Sequence, residues 1–121
     1  MDEQVEVNKK ILKLAATMQE GLEYVKGKVK EGEVEKAFTV LLDITHAFVT
    51  VETAMQPFLS QLPGNCMQEK TDRLRSALAA VTDEYEDNKG LKSREILQFI
   101  LEPAFRNWQE ELERTLACSL S

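Results

Sequence analysis

The stretch FTVLLDITHAFVTVETAMQPFLSQL, Phe38 to Leu62, decides how the chain is read. Set at about 100° per residue, Ala37, Val40, Leu41, Ile44, Ala47, Phe48, Val51, Met55, Phe58 and Leu62 fall on one helical face. Phe38, Leu42 and Val49 carry that face well round the side, and Asp43, His46, Thr50 and Thr53 take what remains. A surface helix needs an apolar stripe only somewhat over about 100° wide. The stretch therefore predicts either the most enclosed helix of a bundle or a helix with a second apolar partner. Pro57 cannot donate its amide to the carbonyl of Thr53, so a kink or break is expected there.

Working outward, the preceding segment repeats Val7, Ile11, Leu14, Ala15, Met18, Leu22, Val25 and Val29 at spacings of three and four, which predicts a helix over about 4–30. Gly21 lies at the rim of this stripe, where close approach of a neighbour would explain it; Gly27 suggests fraying toward the end. Glu31-Gly32 supplies a stop, with Gly32 suited to a left-handed C′ position. The second helix then spans about 33–62, and Leu62-Pro63-Gly64-Asn65 is a turn. A third helix over about 66–88 opens with Asn65 and Gln68 in capping-box spacing and carries the narrow stripe Met67, Thr71, Leu74, Leu78, Val81 and Tyr85. A fourth, about 93–119, has Ser93 as its expected cap. It aligns Leu97, Leu101, Ala104, Phe105, Trp108, Leu112, Thr115 and Leu116, while Ile96, Phe99 and Ile100 lie off that face unless a bend at Pro103 turns them inward.

Short connections between four such helices imply an all-α, antiparallel up-down-up-down four-helix bundle, one domain over 1–121. In that topology Lys26, Lys28 and Lys30 share one end of the bundle with Asp83, Glu84, Glu86 and Asp87. Cys66 and Cys118 share the other, within reach of each other and unbonded.

Composition narrows the function. Lys and Arg number 15 against 21 Asp and Glu, a net charge of −6. No long basic stripe is present to neutralise phosphates or meet an anionic bilayer, so neither nucleic acid nor membrane is an expected partner. The acidic start Met1-Asp2-Glu3-Gln4 is unlike a secretory leader, and no apolar run nears the roughly 20 residues of a membrane span. A cytoplasmic location with reduced cysteines is the expectation.

Catalytic and metal chemistry find little support. Asp43 and His46 form a single Asp-x-x-His pair on the polar face, where a carboxylate-bridged di-metal bundle uses Glu-x-x-His from two helices. The glycines form neither G-x-G-x-x-G nor G-x-x-x-x-G-K, and the cysteines lie away from the level of His46. The expectation is a non-enzymatic protein with no cofactor. Glu52 is the exception to watch: it projects among Leu41, Phe48 and Leu59, and a carboxylate there needs a cation, with Lys10, Lys13, Arg75 and Arg106 at its level. It is the candidate buried polar site, and a bundle enclosing a small ligand or metal near Glu52 is the alternative to a contact function.

The remaining candidates are apolar. Phe38, Leu42 and Val49 with Ile96 and Phe99 would make one exposed patch that binds a partner helix or peptide, and self-association as a homodimer is expected through the second helix. In size, acidity and helical layout, and around Leu42-Asp43-Ile44-Thr45-His46 and Pro103-Ala104-Phe105-Arg106-Asn107-Trp108, the chain resembles small bacterial four-helix-bundle proteins of uncharacterised families. It also looks like flagellar export chaperones, which implies a chaperone-like or adaptor role holding an apolar segment of a client.

Overall fold

The computed structural model describes residues 2–59, 66–88 and 92–120, with the side chains of residues 2, 4, 58, 59, 88 and 117–120 left aside. Among these residues every regular element is helical and no strand occurs. Helix α1 is Asp2–Lys30, α2 is Val34–Leu59 and α3 is Met67–Asn88. A fourth helix, α4, is built from three abutting segments: Ser93–Ile96, a π-helical turn Leu97–Leu101, and Glu102–Leu120.

A narrow apolar seam explains each helix. Positions 8, 11, 15, 18, 22 and 25 of α1, then 37, 41, 44, 48, 51 and 55 of α2, are buried, and their alternating three-four spacing is that of coiled-coil core positions. Met67, Thr71, Leu74, Leu78 and Val81 do the same in α3. The buried residues form one apolar cluster, with Trp108 at its centre edge-on to Phe48 at 5.8 Å and tilted against Phe105 at 5.8 Å. The stripe read from sequence includes Val7, one step too generous. The seam instead takes Asn8, fully buried, and Val7 is exposed.

Gly21 meets its expected neighbour, as side chain rather than backbone. A Cβ there would lie 3.1 Å from Ile44 Cγ1 and 3.5 Å from Val40 Cγ1, so Ile44 packs closely on α1 where the methyl is missing and would have to shift to admit one. Gly27 has nothing within 4 Å, and the helix continues through it to Lys30 without fraying. The end follows the expected form: Gly32 has φ of 83°, its N–H donates to the Val29 carbonyl at 3.1 Å, and Glu33 N–H donates to the Lys28 carbonyl at 2.8 Å, a Schellman closure.

Other boundaries differ from expectation. Helix α2 passes through Pro57 to Leu59, and Leu62 and the turn at Pro63-Gly64-Asn65 lie outside the described residues, as do the side chains of Phe58 and Leu59. Gln68 donates its side-chain N–H to Asp72 Oδ1 at 3.0 Å, and its expected capping partner Asn65 lies outside the described residues. Ser93 is not a cap: it is the buried first residue of α4, and the cap position belongs to Lys92, whose backbone N–H donates to the carboxylate of Glu84 at 2.8 Å. An acid on one helix thus fixes the start of the next. Lys26 and Lys28 find Glu102, Glu23, Glu31 and Glu33 rather than the acidic end of α3.

The Leu97–Leu101 turn answers two constraints. Pro103 has no N–H for the Phe99 carbonyl, and the core positions Leu97, Leu101 and Phe105 follow each other at successive spacings of four, which drift off one face of an ordinary helix. A wider turn, in which Glu102 N–H reaches back five residues to the Leu97 carbonyl, absorbs that drift and keeps all three inward.

The 24 residues Val34–Pro57 are long and apolar enough, by length and composition alone, to cross a membrane, contrary to the expectation from apolar runs. A core helix passes the same test, and the inward face of this one is buried against α1 and α3, with Phe48 reaching Trp108 of α4.

Candidate contact surface

The expected patch is split by the fold. Phe38 is half-buried, stacked on Tyr85 of α3 with ring centroids 4.0 Å apart and planes 7° from parallel, and it packs against the core. Ile96 is likewise half-buried against the core. Leu42 and Val49 remain out on α2, 41% and 51% exposed. Phe99 is the most exposed large apolar residue among those described, at 69%, and its neighbour Ile100 follows at 47%. Of the five residues named from sequence, then, Leu42, Val49 and Phe99 are at the surface, and Ile100 stands where Ile96 was expected.

The cause is the π turn. It turns Leu97 and Leu101 inward, and the residues between them go out with the wide side of the turn. Phe99 and Ile100 do not stand alone. With Ala104 they form the apolar wall of an open groove of about 530 Å³ between α4 and α3. The facing wall is a polar strip of α3, Glu69, Asp72, Arg73 and Ser76, with buried Ala77 at the bottom. Charges on that strip are balanced: Arg73 bonds Glu69 at 2.7 Å, and Asp72 accepts from Arg75 at 2.8 Å and from Gln68. Neither Leu42 nor Val49 lines this groove.

A second depression of about 660 Å³ lies between α1 and α4, along Glu23, Lys26, Lys30, Arg94, Gln98 and Glu102. Its charges are largely used within the chain: Lys26 bonds Glu102 at 3.0 Å and Glu23 at 3.4 Å, and Arg94 reaches the Lys30 carbonyl at 3.5 Å. The hydrogen bond to Glu102, more than the nearby charges, holds the Lys26 ammonium above the ordinary lysine range against the opposing effect of burial.

Glu52 is largely buried on the α2 side facing α3, and the cation that meets it is Arg75, one of the four named from sequence. Arg75 also holds Asp72, so the guanidinium bridges a buried and an exposed carboxylate. His46 and Asp43 are both exposed on α2. Among the described residues no three His, Cys, Asp or Glu side chains gather as metal ligands. Cys66 is an exposed free thiol, and the Cys118 side chain lies outside the described residues.

Ile100 was read off the core face but not joined to the patch, and the α3 wall was missed because which strip of one helix faces another is set by packing and not by either projection. The signal available for the π turn itself was the run of four-residue spacings at Leu97, Leu101 and Phe105 just before Pro103.

A family described as a domain of unknown function (DUF8042) matches residues 6–111, which takes in the seams of α1, α2 and α3, that of α4 as far as Trp108, and both walls of the groove. No curated protein and no solved structure matches the chain.

Proposed function

The chain belongs to the DUF8042 family, whose function is unknown, and from that premise we propose that it is a non-enzymatic protein-interaction module of adaptor or export-chaperone kind. It acts as one antiparallel up-down-up-down bundle that takes a partner helix or peptide on its α3/α4 groove. The order of cross-helix pairs supports the topology: along α1 and α4, positions 19, 26 and 30 meet 109, 102 and 94, descending as the first ascend. Between α2 and α3, 38 meets 85 and 52 meets 75.

The observation that carries the proposal is Phe99, a 69% exposed aromatic beside an open groove with one apolar and one polar wall. Aromatic anchors set at the edge of a pocket supply most of the energy of many protein contacts. A helix or peptide with apolar residues at three-four spacing fits such a groove. A net charge of −6 disfavours nucleic acid and anionic membrane as partners, and a cytoplasmic place belongs to the same proposal. The kinship of layout with small bacterial bundles and flagellar export chaperones belongs to this proposal.

The competing proposal, a ligand or metal held near Glu52, is weakened because Arg75 already supplies the opposite charge that a carboxylate at that depth requires. Capture from cell extract on immobilised wild-type protein, compared with Phe99→Asp, tests the contact function. Proteins retained by the first and absent from the second are expected. Identical retention by both would remove the groove from the account.

A further inference from the structure

We infer that the depression between α1 and α4 binds a small phosphate monoester, a phosphorylated sugar or polyol, held by Lys30 and Arg94 against a wall bared by Gly27. The site is separate from the α3/α4 groove and does not depend on what that groove meets.

The charges around the depression do not cancel. Glu23 and Glu102 are answered by Lys26 at 3.4 and 3.0 Å, and Glu102 also by Arg106 at 3.3 Å, so two acids stand against two bases. That leaves Lys30 and Arg94. Among the described residues the Lys30 ammonium meets no carboxylate, and Arg94 gives one N–H to the Lys30 carbonyl at 3.5 Å, with the rest of its guanidinium fork unused. The same bond brings the two residues to one end of the depression. On a chain of net charge −6, a local surplus of two positive charges runs against the whole. It also outweighs the roughly half negative charge of the α1 carbonyl end beside it. A phosphate monoester carries about −1.5 to −2 at neutral pH, which matches that surplus. Two of its oxygens fit the fork of a guanidinium, and an ammonium serves the third as a point charge. A lone carboxylate would leave one cation unanswered.

Gly27 supplies the second observation. A glycine inside a helix lowers its stability relative to alanine, so one in that position needs a reason. Gly21 has one in Ile44. Gly27 has none within the chain: a Cβ there would meet no atom within 4 Å, and the helix runs through it to Lys30. It does line the depression, so the missing side chain leaves bare backbone for a ligand to approach.

The remaining lining suits the carbon part of such a ligand. A volume of about 660 Å³ falls within the roughly 300–1,000 Å³ of small-molecule sites. Gln98, one turn beyond Arg94, offers a donor and an acceptor to hydroxyls, and Val29 and Leu97 add apolar surface.

Backbone amide NMR on the full chain, titrated with inorganic phosphate, with glucose phosphorylated on its primary hydroxyl, and with glucose as control, tests this. Saturable shifts centred on Gly27, Lys30, Arg94 and Gln98 are expected, the sugar phosphate binding at least about tenfold tighter than inorganic phosphate and glucose not at all. Lys30→Ala and Arg94→Ala, with unchanged circular dichroism, each weaken binding about tenfold. Gly27→Leu melts no lower than wild type, since leucine favours the helix, yet binds the sugar phosphate at least about tenfold more weakly. Four results overturn the inference. They are no saturable shift up to about 50 mM of the sugar phosphate; equal affinity for the two phosphates, which means an adventitious ion only; shifts spread evenly over the surface lysines; and variants at Gly27, Lys30 and Arg94 that bind as wild type does. None of the four touches the α3/α4 groove, which is judged by Phe99→Asp.

Discussion

Helix α2 and the Leu97–Leu101 turn of α4 are the two most apolar parts of the molecule, and the fold treats them oppositely. In α2, apolar circumference beyond the core seam is divided: Phe38 stacks on Tyr85, Val40 lies against the bare Gly21 and Ala47 packs on the core, while Leu42 and Val49 stay exposed. In the shorter π turn, Leu97 and Leu101 are drawn in while Phe99 and Ile100 are turned out. How much apolar surface a helix carries is thus a poor guide to how much it shows. What decides is the neighbour, a glycine and a tyrosine for α2 and a polar strip of α3 for α4.

The sharpest way to break this contrast is to remove one phenyl ring from each region. Phe48→Ala, in the seam of α2 against Trp108, is expected to cost about 3–5 kcal/mol in urea unfolding. Phe99→Ala should fall within about 0.5 kcal/mol of wild type. Comparable losses at the two sites would mean that Phe99 is a core residue and the contrast is false.

Next in size is Gly21→Val, which forces a branched side chain onto Ile44 across a gap already as short as 3.1 Å for a Cβ. A loss of about 1–3 kcal/mol is expected, from overpacking. A stabilised variant would show that α1 and α2 are not pressed together there.

The helices and their inward faces were legible because alternating three-four spacing is a property of the chain alone: of the residues singled out in the third helix, Met67, Thr71, Leu74, Leu78 and Val81 are all buried and Tyr85 half-buried. Gly32 could be read for the same reason, since a left-handed stop is local. Counting levels along the helices put Arg75 among four cations at the height of Glu52, and the fold selects it. The contact surface was only partly legible. Phe99 and Ile100 were both read off the core face, yet the exclusion of Phe38 depends on a tyrosine 47 positions away, and the polar strip of α3 beside Phe99 depends on packing that no single-helix projection contains. Asn8 was overlooked because polar residues are seldom sought on a core seam, although its spacing from Ile11 and Ala15 is regular.

Smaller effects sharpen the picture of the surface charges. Glu52→Gln removes one charge from a pair whose arginine retains Asp72, and a loss of about 0.5–1 kcal/mol is expected at neutral pH. A much larger loss would mean that the carboxylate answers something deeper than Arg75. Smallest of all is Lys26→Met, a few tenths of a kcal/mol in thermal unfolding at neutral pH. Because pairing raises the Lys26 ammonium above its ordinary value, its contribution is complete below the lysine range and fades as pH rises through it. The gap between variant and wild type should close in strong alkali, and a gap that widens there would contradict the assigned pair.

Hydroxyl-radical footprinting read by mass spectrometry tests the contrast itself most directly, because it reports each aromatic ring in the intact protein. In dilute solution Phe99 is predicted to be oxidised far faster than Phe38 or Phe48. A protected Phe99, or a Phe38 that reacts as readily, would contradict the claim that α2 keeps Phe38 and Phe48 against its neighbours while the π turn shows Phe99 to the outside.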